Sequence, residues 1–418
     1  MVTIPEPVQS SASSETLQDS STPRNNRPLD IVFLQDTTGS QGSYIEAACK
    51  AIRDICDKIS AAGQLDKALM RFGLVAFRDH PPQDRTYVTK NFGFTNDIEH
   101  MQKNLSSLKA EGGGDGPEAQ TAALAAALNM PWTEKAVKMV ILITDAPPHG
   151  LGELGDGFTA SPDQNDPLII ARQMAERGIT LFVIACEPTL STHYKHAVDF
   201  YEALTEITSG QMFPLLLANQ LGDYIIGTAL ETMETEKLVE EFEHIIIDDV
   251  YSKDMPVEKV AENLQQFMES KGTKINSVVV DDVYTKNETA MQNQQIWSNA
   301  GSLGEARKKV QVVREPRIMP QFLHTASTSP QMATASWAAD PSGFRGGGFG
   351  RSAAYGGPLA GAAPTPTMYM QSQQVSRQQS QRIVMQSVAR NSAVTPSGMF
   401  SKATGKAAPT MKNIDPMP

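Results

Sequence analysis

The chain has 418 residues, 40% of them hydrophobic, and a formal net charge of −11 at pH 7. This length is enough for one or two domains with sizeable cores. The acidic balance argues against non-specific nucleic-acid binding by the main part of the chain. The tail from Gln321 onward has eight basic and two acidic side chains. Its positive charge would allow only weak contact with nucleic acid.

Membrane and disulfide patterns are both missing from the sequence. No apolar run approaches the roughly 20 residues that a membrane span needs, and no signal peptide precedes the first predicted strand. Three cysteines do not form an extracellular framework. Cys49 and Cys56 are two turns apart on one predicted helix, about 10 Å, which is too far for a disulfide. We therefore expect a cytoplasmic protein without membrane contact.

In chain order, residues 1–27 are rich in Ser, Thr, Pro and Gln and are predicted to be a disordered arm. Residues 28–233 alternate between strand and helix patterns, which predicts an α/β domain with a doubly wound, mostly parallel sheet. The apolar run at residues 31–34 is typical of a strand covered on both faces. The other strands are expected near 68–80, 85–94, 136–146, 179–186 and 211–219, and the helices near 43–59, 96–110, 117–130, 167–178 and 194–208.

The remaining chain has weaker patterns. Residues 234–318 are predicted to be a small helical accessory segment, in which "IIIDDVYSK" from Ile245 recurs as "VVVDDVYTK" from Val278. Two copies allow a duplicated element, but a solenoid needs about three. Residues 319–418 are rich in Ala, Gly, Ser, Gln and Pro and are predicted to be a disordered tail.

Oxygen-bearing side chains follow the ends of two predicted core strands. Asp36, Thr38 and Ser40 come directly after the first strand, and Asp145 ends another. Asp115 lies in "EGGGDGPEA", before an alanine-rich helix. The carboxyl ends of parallel strands share one edge of the sheet, where these carboxylates would repel one another without a cation. Oxygen ligands favour Mg²⁺, Mn²⁺ or Ca²⁺.

These motifs resemble the von Willebrand factor A domains. That family's metal-ion-dependent adhesion site uses a D-x-S-x-S loop, a Thr in a second loop and an Asp in a third. Asp36, Thr38 and Ser40 match the first loop, with Thr for the first Ser, and Asp145 matches the third. Asp115 stands where the second-loop Thr is expected. Together with "RFGLVAFRDH" and "ITDAPPHG", this variant is similar to the A domains of alpha-type protein kinases and, more distantly, of hemicentin-like proteins.

Several residues keep a second interpretation. Asp115 and Glu118 also have the spacing of a helix capping box, so Asp115 is a metal ligand, a cap or both. Residues near the same edge are expected either to form a partner-binding rim or to be ordinary polar surface; they are Arg78, Asp79, His80 and His149.

The function predicted from the resemblance is a non-enzymatic protein-binding module whose metal ion accepts an acidic side chain of a partner. One alternative is a scaffold with a structural metal; another is a regulatory relative of the alpha-kinases that lacks their catalytic domain. A phosphatase of the D-x-D type would need an acid at position 38, where Thr38 stands.

Overall fold

The computed structural model describes residues 27–63, 65–323, 368–394 and 400–402. A six-stranded sheet in the order β3-β2-β1-β4-β5-β6 lies at its centre. All neighbouring strands are parallel except β3, which is antiparallel to β2. This confirms the predicted fold class. The strands are β1 Leu29–Asp36, β2 Met70–Phe77, β3 Thr89–Thr95, β4 Val137–Thr144, β5 Ile179–Cys186 and β6 Met212–Leu215.

Helices cover both faces of this sheet. They are α1 Gly42–Gly63, α2 Ile98–Ser106, α3 Gln120–Leu128, α4 Pro167–Glu176, α5 Thr189–His193, α6 Ala197–Ile207 and α7 Leu221–Ile247. Val32 and Leu34 of β1 pack into the core on one face, and Ile31 and Phe33 pack into the core on the other. Successive strand residues point to opposite faces, so a strand buried on both faces needs the unbroken apolar run.

Helix α7 crosses the predicted domain boundary. It has 27 residues and runs through position 233 without interruption. Its first half packs on α1, and its second half forms a third apolar cluster with α8 Val257–Ser270. The elements that follow are β7 Lys274–Val280, α9 Glu288–Asn299, α10 Leu303–Ala306 and α11 Pro320–Leu323.

The two copies of the repeated DDVY sequence have different structures. The first copy completes α7 and continues into a π-helical turn at Asp248–Ser252. The second copy begins in β7 and continues into a loop. The residues that flank each copy therefore decide its conformation. The predicted duplicated element is a repeat of sequence but not of structure.

Part of the predicted disordered tail is folded. β8 Met368–Gln374 pairs antiparallel with β7 along its whole length. Then α12 Arg377–Arg390 begins with a capping box formed by Ser376 and Gln379 and buries Ile383 and Val384 in the third apolar cluster. The expectation of a disordered tail was wrong for this stretch. Short strands β9 Ser392–Val394 and β10 Phe400–Lys402 pair with each other.

Other predictions about the termini concern residues that the structure does not describe. They include the N-terminal arm, except Arg27, and the parts of the predicted tail at residues 324–367, 395–399 and 403–418. In the described ranges, no helix combines the length and the apolar character needed to cross a bilayer.

Candidate metal centre

Asp36 is the last residue of β1 and lies on the edge of the sheet where the parallel strands end. Its carboxylate is fully buried. The Thr38 hydroxyl donates to Oδ1 and the Thr144 hydroxyl donates to Oδ2, both at 2.7 Å. The backbone N–H of Thr38 also donates to Oδ1, at 3.0 Å. The backbone thus turns sharply after β1, and the hydroxyl groups of Thr38 and Thr144 surround this carboxylate.

Asp145 follows β4, the strand adjacent to β1. It is 6% exposed, and the polar side chains of Ser40 and Gln41 nearby favour its ionised form. Burial, and then the neighbouring charge of Asp145, raise the pKa of Asp36 to about 7. Burial also raises the pKa of Asp145. Two buried carboxylates that oppose each other's ionisation would be stabilised by a cation.

The first loop rests on the second loop. The N–H of Gly39 donates to the carbonyl of Gly112 at 3.3 Å, and the N–H of Glu111 donates to the carbonyl of Thr37 at 3.1 Å. Ser40 stands in a 3₁₀ turn and is exposed. Among the candidate ligands of the first loop, Asp36 and Thr38 are buried and Ser40 is exposed to solvent.

Asp115 is held away from this pair by its own hydrogen bonds. Its Oδ2 accepts from the N–H of Gly157 at 2.6 Å and from Gln83 at 3.3 Å. The charges that influence Asp115 are those of His149, Asp79 and Asp156. Helix α3 has Ala119 as its N-cap residue and no side-chain cap, so the predicted capping box of Asp115 and Glu118 was wrong.

Glu118 is the residue that sequence reasoning missed as a candidate ligand. It is 5% exposed, and its Oε2 has no hydrogen-bond partner. A β-carbon on Gly113 would lie 2.7 Å from Glu118 Oε1 and 3.4 Å from Thr38 Cβ, so this carboxylate reaches toward the first loop. Burial, and then the charge of Asp36, raise the pKa of Glu118 to about 11. Its only signal in the sequence was its spacing from Asp115.

The residues expected to form a partner-binding rim are buried. None is more than 7% exposed: Arg78, Asp79, His80 and His149. The Arg78 guanidinium donates to the Thr86 hydroxyl, the Lys109 carbonyl and the Glu111 carboxylate. A partner cannot touch side chains in this position, so the interpretation as a contact rim was wrong. These residues instead hold the loops together.

The donor set is compatible with a hard divalent cation. Asp36, Asp145 and Glu118 carry carboxylate oxygens and Thr38 and Ser40 carry hydroxyl oxygens, so all the candidate ligand atoms of this group are oxygens. Oxygen-only sites of this kind suit Mg²⁺ and its relatives. The unpartnered Oε2 of Glu118 shows that the polar capacity of the site is not used up within the protein.

Comparison with known proteins identifies the class of domain. Residues 30–216 match the family model of the von Willebrand factor A domain, so this part of the chain is similar to that family. The match covers the six-stranded sheet and the loops at the candidate site. Domains of this family are commonly protein-interaction modules.

Two other proteins are similar in sequence to part of this chain. An ariadne-like RING finger protein of Acanthamoeba polyphaga mimivirus is 25% identical over 203 residues, which are 47% of this chain and 19% of that protein. The alpha-protein kinase vwkA of Dictyostelium discoideum is 30% identical over 129 residues, 30% of this chain and 20% of the kinase. The chain therefore spans only about a fifth of the length of each relative.

The similar solved structures have lower sequence identity. A von Willebrand factor type A protein from Catenulispora acidiphila aligns with a TM-score of 0.35 at 15% identity, covering 50% of this chain and 43% of that one. The pilus adhesin SpaC from Lactobacillus rhamnosus GG aligns in its open conformation with a TM-score of 0.38 at 17% identity, covering 50% and 30%.

Proposed function

We propose that this protein binds a partner protein through a divalent cation, Mg²⁺ or a similar ion, held at the ends of β1 and β4. The observation that carries the proposal is the pair of buried carboxylates Asp36 and Asp145, which act on each other's charge and lie near the exposed Ser40. The cation would neutralise the pair and present a coordination position to an acidic side chain of the partner.

The ligand set that we propose differs at one position from the set expected from the sequence. Asp36, Thr38, Ser40 and Asp145 remain. Glu118 replaces Asp115, because Asp115 lies beside Asp79 and His149, whereas Asp36 exerts the largest charge effect on Glu118. The residue-level assignment rests on these contacts and on the preference of hard cations for carboxylate and hydroxyl oxygens.

The first test is removal of the carboxylate that is most completely buried. For Asp36→Ala we expect the loss of Mg²⁺-dependent thermal stabilisation and of the heat of Mg²⁺ binding in calorimetry, with helical circular dichroism preserved. The matched control is Asp54→Ala, which removes a surface carboxylate on α1 that is 59% exposed. A mutant at position 36 that still gains stability from Mg²⁺ would refute the metal role.

The second test concerns the partner's side chain. A panel of peptides with a single Asp or Glu, paired with their Asn and Gln forms, is measured in Mg²⁺ and then in EDTA. Binding that needs both the carboxylate and the cation supports the proposal. If binding persists in EDTA, the protein is better described by the alternative of a scaffold with a structural metal.

A further inference from the structure

A second group of chemically reactive side chains lies beside the candidate magnesium site. We call it the histidine cluster, and it consists of Asp79, Asp115, His149 and Asp156. Asp79 follows β2, Asp115 lies in the loop before α3, and the other two residues lie in the loop after β4. One ligand atom from each of Asp79, Asp115 and His149 can be chosen such that all three lie within 4.8 Å of one another.

His149 is fixed in orientation by two carboxylates. Its Nε2 lies 2.6 Å from Asp79 Oδ1, and its Nδ1 lies 2.8 Å from Asp156 Oδ1. Asp156 is itself held by the N–H groups of Gly150 and Phe158, at 2.7 and 2.8 Å. The imidazole therefore cannot turn, and Nε2 faces Asp79. Histidines that bind metal ions are oriented in the same way, by a carboxylate that accepts the Nδ1 proton.

The cluster has more negative charge and more acceptor oxygens than the protein satisfies. Three carboxylates surround a single imidazole. Asp79 is fully buried and its Oδ2 has no hydrogen-bond partner, and Asp115 Oδ1 has none either. Buried carboxylate oxygens without a partner are costly. A cation between Asp79, Asp115 and His149 would supply both the missing charge and the missing contacts.

We propose that Asp79, Asp115 and His149 Nε2 form a second metal site, which binds a transition-metal ion of the zinc(II) class. One imidazole nitrogen and two carboxylate oxygens are ligands that zinc accepts readily, whereas the neighbouring group around Asp36 offers oxygen alone. Asp156 is a positioning residue that holds the imidazole. When the ion binds, the proton shared by Nε2 and Asp79 is released to water.

Ring side chains pack around His149 and shield this nitrogen ligand from water. The Phe158 ring meets the His149 ring edge-on with centroids 4.6 Å apart, and the His80 ring lies 5.8 Å from His149. The competing explanation is a purely structural ion triad, in which protonated His149 bridges Asp79 and Asp156. In that triad, Asp115 and Oδ2 of Asp79 make no contact with the imidazole. In the metal site, they are available to bind the ion.

The experiment uses the full chain after treatment with a chelator, in millimolar Mg²⁺ to fill the oxygen-only site. Co²⁺ is titrated with detection by visible absorption, and Zn²⁺ by calorimetry. We expect one equivalent of Co²⁺ with visible absorption bands, displaced by Zn²⁺. His149→Gln and Asp115→Asn are expected to lose this site, and Asp156→Asn to weaken it about 10- to 100-fold.

Two controls separate this site from its neighbours. His80→Gln removes a nearby histidine that is outside the cluster, and Asp36→Ala removes the oxygen-only site; both should retain the Co²⁺ bands. Asp115 is only half-buried, and an Asn side chain can still accept from Gly157, so Asp115→Asn provides a test even if His149→Gln does not fold. Absence of stoichiometric binding by the wild type, or unchanged binding in Asp115→Asn, would overturn the proposal.

Discussion

At the residue scale, the candidate site depends on side chains that are buried but not fully paired. Asp36 takes hydroxyl donors on both oxygens, while Oε2 of Glu118 has no hydrogen-bond partner. The loop before α3 contains Gly113, whose φ of +83° is in the region that favours glycine. A side chain at this position would meet Glu118 and Thr38 at once. The glycine therefore allows the two loops to approach closely.

Gly113→Ala should show the importance of this approach. We expect a loss of about 2–4 kcal/mol in the free energy of unfolding, from the positive φ and from the contact with Glu118 Oε1, together with weaker Mg²⁺ binding. Gly93→Ala is the matched control: its φ is +74°, but nothing lies within 4 Å of the added carbon, so about 1–2 kcal/mol is expected. Urea unfolding checks both, and equal losses would argue against the packed loop.

Glu202 gives a pH dependence that is independent of the candidate sites. Burial raises its pKa from 4.5 to about 7. An acid whose pKa is higher in the folded state binds its proton more tightly there, so the free energy of unfolding falls as pH rises from about 4.5 through 7. Relative to the wild type, Glu202→Gln should therefore be about 1–3 kcal/mol more stable at pH 8 than at pH 5.

The control for this prediction is Glu241→Gln, which changes an exposed residue of α7. Its stability relative to the wild type should be the same at both pH values. Urea unfolding at pH 5 and pH 8 provides the measurement. A stability difference for Glu202→Gln that does not change with pH would show that the half-buried position of Glu202 does not raise its pKa.

At the scale of elements, β8 and α12 are integral to the fold although they come from a low-complexity region. β8 extends β7 by backbone pairing from Lys274 opposite Gln374 to Val280 opposite Met368. α12 packs against α7 and α8, and its Arg390 forms an ion pair with Glu236 of α7. The C-terminal elements thus cover the second half of α7.

Ile383→Ala measures the contribution of α12. The side chain is fully buried in the third apolar cluster, so its truncation should lower the free energy of unfolding by about 2–4 kcal/mol. Gln378→Ala, on the exposed face of the same helix, should change it by less than about 0.5 kcal/mol. Similar values for the two variants would mean that α12 is not packed on the domain.

At the scale of the whole molecule, the predicted sheet domain, the accessory segment and residues 368–394 of the tail pack together. α7 connects the sheet to the later elements without a break at residue 233. On α9, Trp297 is fully buried and packs against Phe200 of α6 with ring centroids 5.5 Å apart. The guanidinium of Arg172 on α4 donates to the carbonyls of Ser298 and Ala300. These contacts join residues 234–318 to the sheet domain.

Cleavage of the connection between α11 and β8 tests this unity. With a specific protease site inserted between Gly346 and Gly347, the C-terminal fragment should co-elute with the remainder in gel filtration after cleavage. The same insertion combined with Val384→Asp, which places a charge in the third apolar cluster, should release the fragment. Release from the parent protein would show that β8 and α12 do not hold to the domain by themselves.

The sequence by itself determined the class of fold and the core of the candidate site. Strands buried on both faces require continuous apolar runs, and these runs are visible without a structure. Asp36 and Asp145 were predicted to lie near each other because parallel strands end at a common edge, and in the structure the charge of Asp145 acts on Asp36. Both predictions depend on local patterns and on a general property of α/β sheets, not on the course of a particular loop.

Only the tertiary structure decided the details that depend on distant contacts. The positions of Asp115 and Glu118 depend on a loop with positive φ at Gly112, Gly113 and Gly116, and on the distant N–H of Gly157 that binds Asp115. Residues 368–374 become a strand because β7 offers backbone partners, an interaction that hardly depends on side-chain composition. Local sequence does not encode such partners, since the groups that satisfy them lie about 40 to 100 residues away along the chain.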